Sequence, residues 1–209
     1  MVQPSRGTTG DLVPGFPDDI CLGFANTRYY RGGDAPTEAL GDLDALLAWC
    51  RSATLLSAGG ERSLRRVWRD DAAAAEILRN AVALRETIYR LFFCTAEGKV
   101  PAPADLDALN RALLAAPSRI GLARSGSGFA WRVLPIDEPS VPTLLAPVIW
   151  SAASLLTGPR LPRVRHCANE RCLWLFLDDS KSGTRRWCSM SACGNRAKAH
   201  RHYVRQKEG

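Results

Sequence analysis

Four cysteines near the carboxyl end constrain the fold of this chain more than any other feature. Four residues separate Cys167 from Cys172, and Cys188 and Cys193 repeat that spacing after a gap of fifteen residues. Each pair closes a short loop, a knuckle, and four thiolates form the closed tetrahedral ligand set of a structural zinc ion. We therefore predict one structural Zn2+ per chain. The alternative is four reduced thiols without a metal.

The residues around these cysteines predict a small zinc-stabilised module. Residues 173–178 and 184–187 are strand candidates on either side of a polar turn. A helical pattern follows Cys193, where Gly194 permits a tight turn and Asn195 is a suitable N-cap. Two knuckles around a hairpin, the second at a helix start, predict a treble-clef-like finger. Such a short segment has little core of its own, so the metal should supply much of its folding free energy.

Basic residues are concentrated in the same region. The net charge is +7, but residues 160–209 carry twelve Lys/Arg and four Asp/Glu, whereas residues 1–159 carry sixteen and seventeen. This asymmetry suggests a nearly neutral body with a basic arm that contacts a polyanion. The alternative is a solvated tail that keeps the protein soluble.

One face of the last predicted helix is basic, because Lys198, Arg201, His202 and Arg205 recur at helical spacing. A basic face on a zinc-anchored helix suits phosphate or groove contact, the alternative being a solvated surface. Capping explains Gly194 and Asn195 but not Arg196, which is therefore the strongest single candidate for a phosphate or base contact. The predicted nucleic-acid-binding residues are Arg185, Arg186, Arg196, Lys198, Arg201, His202 and Arg205.

The remaining sequence predicts a mainly helical domain. Apolar periodicity predicts helices within 42–56, 61–97, 104–116 and 142–157, with an interruption near 69–71. Residues 118–135 alternate around a glycine-rich turn and predict one β-hairpin, whereas residues 19–27 fit a strand or a helix start. The predicted class is α+β: a lead-in (1–17), a helical domain with one hairpin (18–159) and a zinc finger (160–209).

Catalytic signals are lacking in the body. Residues 18–158 contain no histidine, and no nucleophile elbow, phosphate loop or HExxH motif occurs, so we predict that the chain is not an enzyme. Cys21, Cys50 and Cys94 lie among apolar residues, which predicts buried thiols, with redox sensing as the alternative.

A polar tripeptide interrupts the first apolar run of the body. Asn26, Thr27 and Arg28 follow an apolar segment directly. They are explained either by a helix cap or turn, or by a pocket that binds a small-molecule effector.

The compartment is predicted to be a reducing cytoplasm. The first residues contain no apolar stretch of signal-peptide length. The uncharged run 139–159 is interrupted by Pro142 and Pro147, which favours a buried helix over a membrane span. Seven cysteines in that compartment indicate metal ligands and free thiols rather than disulfides.

The tetrapeptide 193–196 is Cys-Gly-Asn-Arg, and the region resembles the CGNR zinc finger family. Segments 21–27, 44–49 and 84–91 are similar to its usual companion, the ABATE domain, although Gly23 stands where the family pattern has an acidic residue. Such proteins are bacterial and are described as stress-induced transcription regulators. The resemblance implies a zinc-dependent DNA-binding regulator whose N-terminal domain senses a ligand or forms a homodimer. The alternative is a protein-interaction or RNA-binding module.

Overall fold

The computed structural model describes residues 11–134 and 139–208. Its α-helices are α1 (Ile20–Ala25), α2 (Leu43–Ser52), α3 (Ala58–Val67), α4 (Asp71–Ala96), α5 (Pro103–Ala115), α6 (Val141–Leu144), α7 (Ala146–Thr157) and α8 (Asn195–Glu208). Its strands are β1 (Leu12–Pro14), β2 (Arg28–Tyr29), β3 (Thr37–Glu38), β4 (Arg119–Ser125), β5 (Gly128–Val133), β6 (Val164–His166) and β7 (Leu175–Leu177). The predicted α+β class, with a mainly helical body, is confirmed.

Short side chains set the helix starts. The carboxylate of Asp42 accepts a hydrogen bond from the Ala45 N–H (2.7 Å) at the start of α2, and Asp70 caps α4 through the Ala73 N–H (3.1 Å). The predicted interruption near residue 70 is confirmed, because α3 ends before it and α4 begins after it.

The core of the body forms around α4 and α7. Helix α4 buries Ala81, Ile88, Leu91 and Phe92 against α1, α2 and α5. The apolar run predicted as a buried helix becomes α6 and α7, and most residues of α7 are inaccessible to solvent. No helix in the described ranges has both the length and the apolarity needed to cross a bilayer.

The predicted hairpin in the body is confirmed. Strands β4 and β5 pair antiparallel up to Ser125 and Gly128, and β1 adds to the other side of β5. The strand order is therefore β1-β5-β4, and β4 forms one edge of the sheet.

The hairpin predicted inside the zinc module is wrong. Strand β7 pairs with β6, which precedes the first knuckle, and residues 184–187 form no strand. Two interactions explain this pairing. Strand β7 is buried along its whole length and packs against α1 and α4. The Asp178 carboxylate accepts hydrogen bonds from the Ser180 and Arg185 N–H groups (3.0 and 2.9 Å), which fixes the following loop in an irregular conformation.

The β6–β7 pair therefore belongs to the hydrophobic core of the body. Val164, Leu175 and Leu177 are members of the same buried cluster as α1, α4 and α7. The boundary near residue 160 between the helical domain and the zinc finger stays a prediction. Across that boundary, the apolar core is continuous.

Candidate metal centre and nucleic-acid interface

The four predicted ligands converge on one point. The Sγ atoms of Cys167, Cys172, Cys188 and Cys193 all lie within 4.8 Å of one another, with 3.7 Å between Cys172 and Cys188 and 3.8 Å between Cys188 and Cys193. Tetrahedral zinc with Zn–S bonds of about 2.3 Å requires sulfur–sulfur separations of about 3.8 Å. The residues present fit the metal, and the site holds one structural zinc ion.

Backbone turns bring the thiols of the first knuckle together. The Cys167 N–H donates to the Trp174 carbonyl (2.8 Å) and the Cys172 N–H to the Asn169 carbonyl (2.7 Å), which closes the loop. The Asn169 side chain donates to the Cys193 sulfur (3.5 Å) and so links the two knuckles. The hydrogen bonds among these thiols lower the pKa of Cys167 and raise the pKa values of Cys172 and Cys188.

The second knuckle leads into α8 differently from the prediction. A π-helical turn, Met190–Gly194, precedes α8, and the Ser189 side chain caps it through the Ala192 N–H. Asn195 already has helical dihedral angles, so its predicted role as N-cap is wrong. Gly194 does not have a positive φ, and the prediction of a tight turn there is wrong as well. Instead, a Cβ at Gly194 would lie 2.7 Å from the Met190 sulfur, so glycine provides space.

His166 adjoins the first ligand but does not join the cluster. Its Nε2 lies 2.5 Å from Glu97 Oε1, and its ring lies 5.1 Å from the Phe93 ring. The hydrogen bond with His166 lowers the pKa of the Glu97 carboxyl. His166 therefore connects the zinc module to the end of α4.

A basic groove lies beside the zinc site. A cavity of about 490 Å³ has a lining that includes three arginines, one glutamate and one tryptophan: Arg171, Arg186, Arg196, Glu170 and Trp187. It adjoins a second cavity of about 370 Å³, since both are lined by Ala168 and Arg186, and the second also includes Arg165. We call the two together the basic groove.

The cations of the basic groove are available to a ligand. Within residues 11–134 and 139–208, Arg171, Arg186 and Arg196 form no ion pair with an acidic side chain. The Arg186 guanidinium lies 5.6 Å from the centre of the Trp187 ring. The groove thus combines positive charge with an aromatic surface, the pairing that phosphates and bases favour.

The other predicted nucleic-acid residues differ in their surroundings. Arg185 is held by structural contacts, because its Nε donates to the Trp187 carbonyl (2.8 Å), its guanidinium to the Cys188 carbonyl, and its Cζ lies 4.5 Å from the Phe176 ring centre. Lys198 is exposed on α8. The side chains of Arg201, His202 and Arg205 lie outside the described residues, although their backbone belongs to α8.

Two family comparisons match this arrangement. A sequence model of the ABATE family, described as "Putative stress-induced transcription regulator", matches residues 18–159. The chain belongs to the ABATE family. A model of the CGNR zinc finger matches residues 163–206, which contain all four cysteines. The curated proteins contain no match to the chain. The matched families are of regulatory and zinc-finger type, and neither is described as enzymatic.

In this ABATE protein the predicted effector residues lie at the joint between body and zinc module. Asn26 forms two hydrogen bonds with the backbone of Leu175, donating to its carbonyl (2.7 Å) and accepting from its N–H (2.9 Å). The buried Thr27 hydroxyl donates to the Phe24 carbonyl and accepts from Arg85. Arg28 begins the short strand β2. Effector binding by these three residues stays a prediction.

Sequence reasoning missed an ionic network at the same joint. Arg85 is fully buried and forms a two-point ion pair with Glu38 (2.5 and 2.6 Å) and a hydrogen bond to Glu86 (2.9 Å). Glu86 also pairs with Arg31 (2.7 Å), whose guanidinium lies 3.7 Å from the Tyr89 ring centre. The available signal was Arg85 itself, a charged residue four positions after Ala81 on the apolar face of α4.

The network continues to the first knuckle. The Tyr89 hydroxyl donates to the Leu173 carbonyl (3.0 Å), and burial raises the pKa of Tyr89 to about 12, so it stays a donor. A Cβ at Gly32 would overlap the Glu170 carbonyl oxygen, so the loop after β2 approaches the knuckle closely. The body therefore holds the zinc module through packing, hydrogen bonds and a buried ion network.

Proposed function

We propose that the chain is a zinc-dependent, DNA-binding transcription regulator. The observation that carries this proposal is the basic groove, where three arginines without acidic partners in the described ranges surround Trp187 beside the zinc ligands. Zinc fixes the two knuckles, so these cations are held in place before any ligand arrives. Preorganised cations on one surface favour binding of a phosphate backbone.

The position of Arg196 supports contact near the start of a helix. It follows the last zinc ligand by three residues, is exposed, and is the second residue of α8. The Arg196 guanidinium is a bidentate donor to phosphate oxygens. Phosphate contacts would position the finger, and α8 would extend along the nucleic acid.

The test is a fluorescence anisotropy titration of the zinc-loaded full chain with duplex DNA at several salt concentrations. We expect log affinity to fall linearly with log salt, and each of Arg186→Ala and Arg196→Ala to reduce the salt slope by about 1. Arg66→Ala, which removes an exposed arginine from α3, is the matched control and should leave binding unchanged. Equal, weak binding by wild type and the Arg186/Arg196 double variant at low salt would remove the basis for the proposal.

RNA is the second candidate partner, for a specific reason. The Trp187 ring with the Arg186 guanidinium 5.6 Å from its centre resembles the aromatic and cationic platforms on which unpaired bases stack. The same titration with single-stranded RNA of equal charge separates the two candidates. Tighter binding to RNA, lost in Trp187→Ala, would replace DNA as the partner.

A homodimer through β4 is part of the proposal, because one finger offers little contact area for specificity. Strand β4 is a sheet edge, and edge strands pair readily with another strand. Ile120, Leu122 and Phe129 on this hairpin are 44%, 62% and 70% exposed. A second copy pairing at β4 would cover these apolar side chains and present two fingers. Sedimentation of wild type and Leu122→Asp tests it, since the variant should be monomeric if this edge is the interface.

A further inference from the structure

A third cavity adjoins the zinc site, on the side that faces the body. It measures about 250 Å³ and is lined by Tyr29, Tyr30, Trp174, Ser189, Ala192 and Arg196, together with three of the cysteines. Tyr29 and Tyr30 belong to the body, and the other lining residues belong to the zinc module. We call it the joint pocket.

The walls of the joint pocket are aromatic. The Tyr29 and Trp174 ring centres are 5.3 Å apart with planes tilted by 41°, and Tyr30 adds a third ring that is 45% exposed. Three aromatic side chains around a small space suit a planar, apolar ligand. The Ser189 hydroxyl already contacts the Ser191 hydroxyl and caps the turn before α8, whereas the buried Trp174 Nε1 has no hydrogen-bond partner among the described residues.

Backbone strain accompanies this arrangement. Tyr30 has a φ of 52°, and Leu173, directly before Trp174, has a φ of 55°. Non-glycine residues adopt this left-handed region at a cost, and such residues concentrate at ligand sites. Both strained residues lie where the loop after β2 meets the first knuckle. Their left-handed conformations keep Tyr30 and Trp174 beside the joint pocket.

Among the described lining residues, Arg196 supplies the only cationic side chain, and the three cysteines are thiolates whose negative charge the bound zinc ion partly neutralises. Arg196 is exposed and has no acidic partner within the described part of the chain, and it lines both the joint pocket and the basic groove. An anionic group of the ligand placed at the Arg196 guanidinium would gain a charge-assisted hydrogen bond. Because one guanidinium serves both cavities, it contacts either a pocket ligand or a phosphate in the groove.

We propose that the joint pocket binds a small planar aromatic molecule with one anionic group, such as an aromatic carboxylate, and that its occupancy withdraws Arg196 from nucleic acid. Ligand binding in the joint pocket is inferred from the pocket alone, whereas the withdrawal of Arg196 from nucleic acid rests on the proposed function. The ligand acts as an effector that weakens nucleic-acid binding. The body takes part through Tyr29 and Tyr30.

The test uses isothermal titration calorimetry on the zinc-loaded full chain with naphthoate, neutral naphthamide and non-aromatic cyclohexanecarboxylate. We expect naphthoate to bind most tightly. Arg196→Ala should weaken naphthoate about tenfold, the loss of one charge-assisted hydrogen bond, and leave naphthamide unchanged. Tyr30→Ala should weaken both aromatic probes. Arg186→Ala, which changes the basic groove but not the joint pocket, is the matched control and should bind all three probes as wild type does.

The anisotropy titration with DNA, repeated at saturating naphthoate, tests whether the ligand weakens nucleic-acid binding. Weaker DNA binding in wild type, with no effect of naphthoate in Arg196→Ala, supports the proposal. No naphthoate binding at millimolar concentration, or binding that is unaffected by Arg196→Ala, overturns the pocket even if DNA binds normally. Naphthoate binding without any change in DNA affinity overturns the effector role. If DNA fails to bind at all, the proposed function fails, and the calorimetry still decides the pocket.

Discussion

The body and the zinc module are stabilised in different ways. The body has a large apolar core in which side chains from α1, α4 and α7 are almost completely buried. The described residues of the module have a second, small cluster, made of the cysteines with Trp174 and Trp187. Its remaining apolar strands, β6 and β7, pack into the core of the body instead. One region thus folds by burying its own surface, whereas the other depends on a metal and on its neighbour.

This difference explains why the joint between the two regions is so heavily bonded. A module without its own core must be oriented by its partner if its cations are to face one ligand. Asn26, Arg31 and Tyr89 supply that orientation through hydrogen bonds, ion pairing and ring contact. These contacts tie the position of the zinc module to that of the body.

The largest expected effect comes from removing the metal. Replacing Cys188 with Ser, or chelating zinc, should abolish zinc binding and unfold the knuckles, because structural zinc contributes roughly 10 kcal/mol or more to such modules. Helical circular dichroism of the body should persist, with a lower melting temperature because β6 and β7 lose support. Cys94→Ser, outside the cluster, is the control and should retain one zinc. Full zinc content in Cys188→Ser would contradict the conclusion that the zinc module, unlike the body, depends on a metal held by this cysteine.

The next effect is the loss of the buried cation at the joint. Arg85→Leu leaves Glu38 and Glu86 without their shared partner, and we expect a loss of about 3–5 kcal/mol in the free energy of unfolding by urea. The control is Arg65→Ala, which removes the ion pairs of a half-exposed arginine with Glu61 on α3 and Asp44 on α2 and should cost about 1 kcal/mol or less. Similar losses in both variants would show that the joint network is no more important than a surface pair.

The same network predicts a dependence on pH. Burial alone would raise the pKa of Glu86, but the hydrogen bond and charge of Arg31 and the charge of Arg85 outweigh it, and the net pKa lies below 4.5. A carboxyl whose pKa is lowered by folding stabilises the protein above its unfolded pKa, about 4.3, and loses that contribution as pH falls. The stability difference between wild type and Glu86→Gln should therefore be largest above about pH 5 and shrink below it.

Measuring that difference at each pH removes a common background. Protonation of the zinc ligands destabilises both proteins equally at low pH, so it cancels in the comparison. Urea unfolding followed by circular dichroism gives both values. A difference that stays constant from neutral to acidic pH would mean that folding does not lower the pKa of the Glu86 carboxyl.

The sequence predicted those elements whose cause is local. Asp42 and Asp70 precede helices that they cap, and the turn after Ser125 follows from a glycine-rich run between alternating segments. The cysteine cluster was equally predictable, since metal chemistry dictates ligand type and spacing. The partner of β7 could not be predicted in this way. Its choice of β6 depends on burial against α1 and α4, which are distant in the sequence.

The ionic network at the joint and the joint pocket could not be predicted from the sequence, for the same reason. Arg85 stands out only as a charge on an apolar helix face, and nothing local identifies Glu38 as its partner. Tyr29 and Trp174 lie far apart in the chain and meet only because the module docks on the body. Contacts between two regions that dock on each other can be identified only from the folded structure.

The smallest expected effect distinguishes two explanations for Gly194. A glycine needed for a tight turn would have a positive φ, and alanine there would be strained whatever its neighbours. The structure instead indicates a need for space, because a new Cβ would meet the Met190 sulfur at 2.7 Å. Met190 is 52% exposed and flexible, so Gly194→Ala should cost only about 1 kcal/mol in the free energy of unfolding. Met190→Ala should remove most of that cost in the double variant, measured in a double-mutant cycle with zinc bound. Additive losses in the cycle would mean that the backbone, and not the methionine, requires glycine at this position.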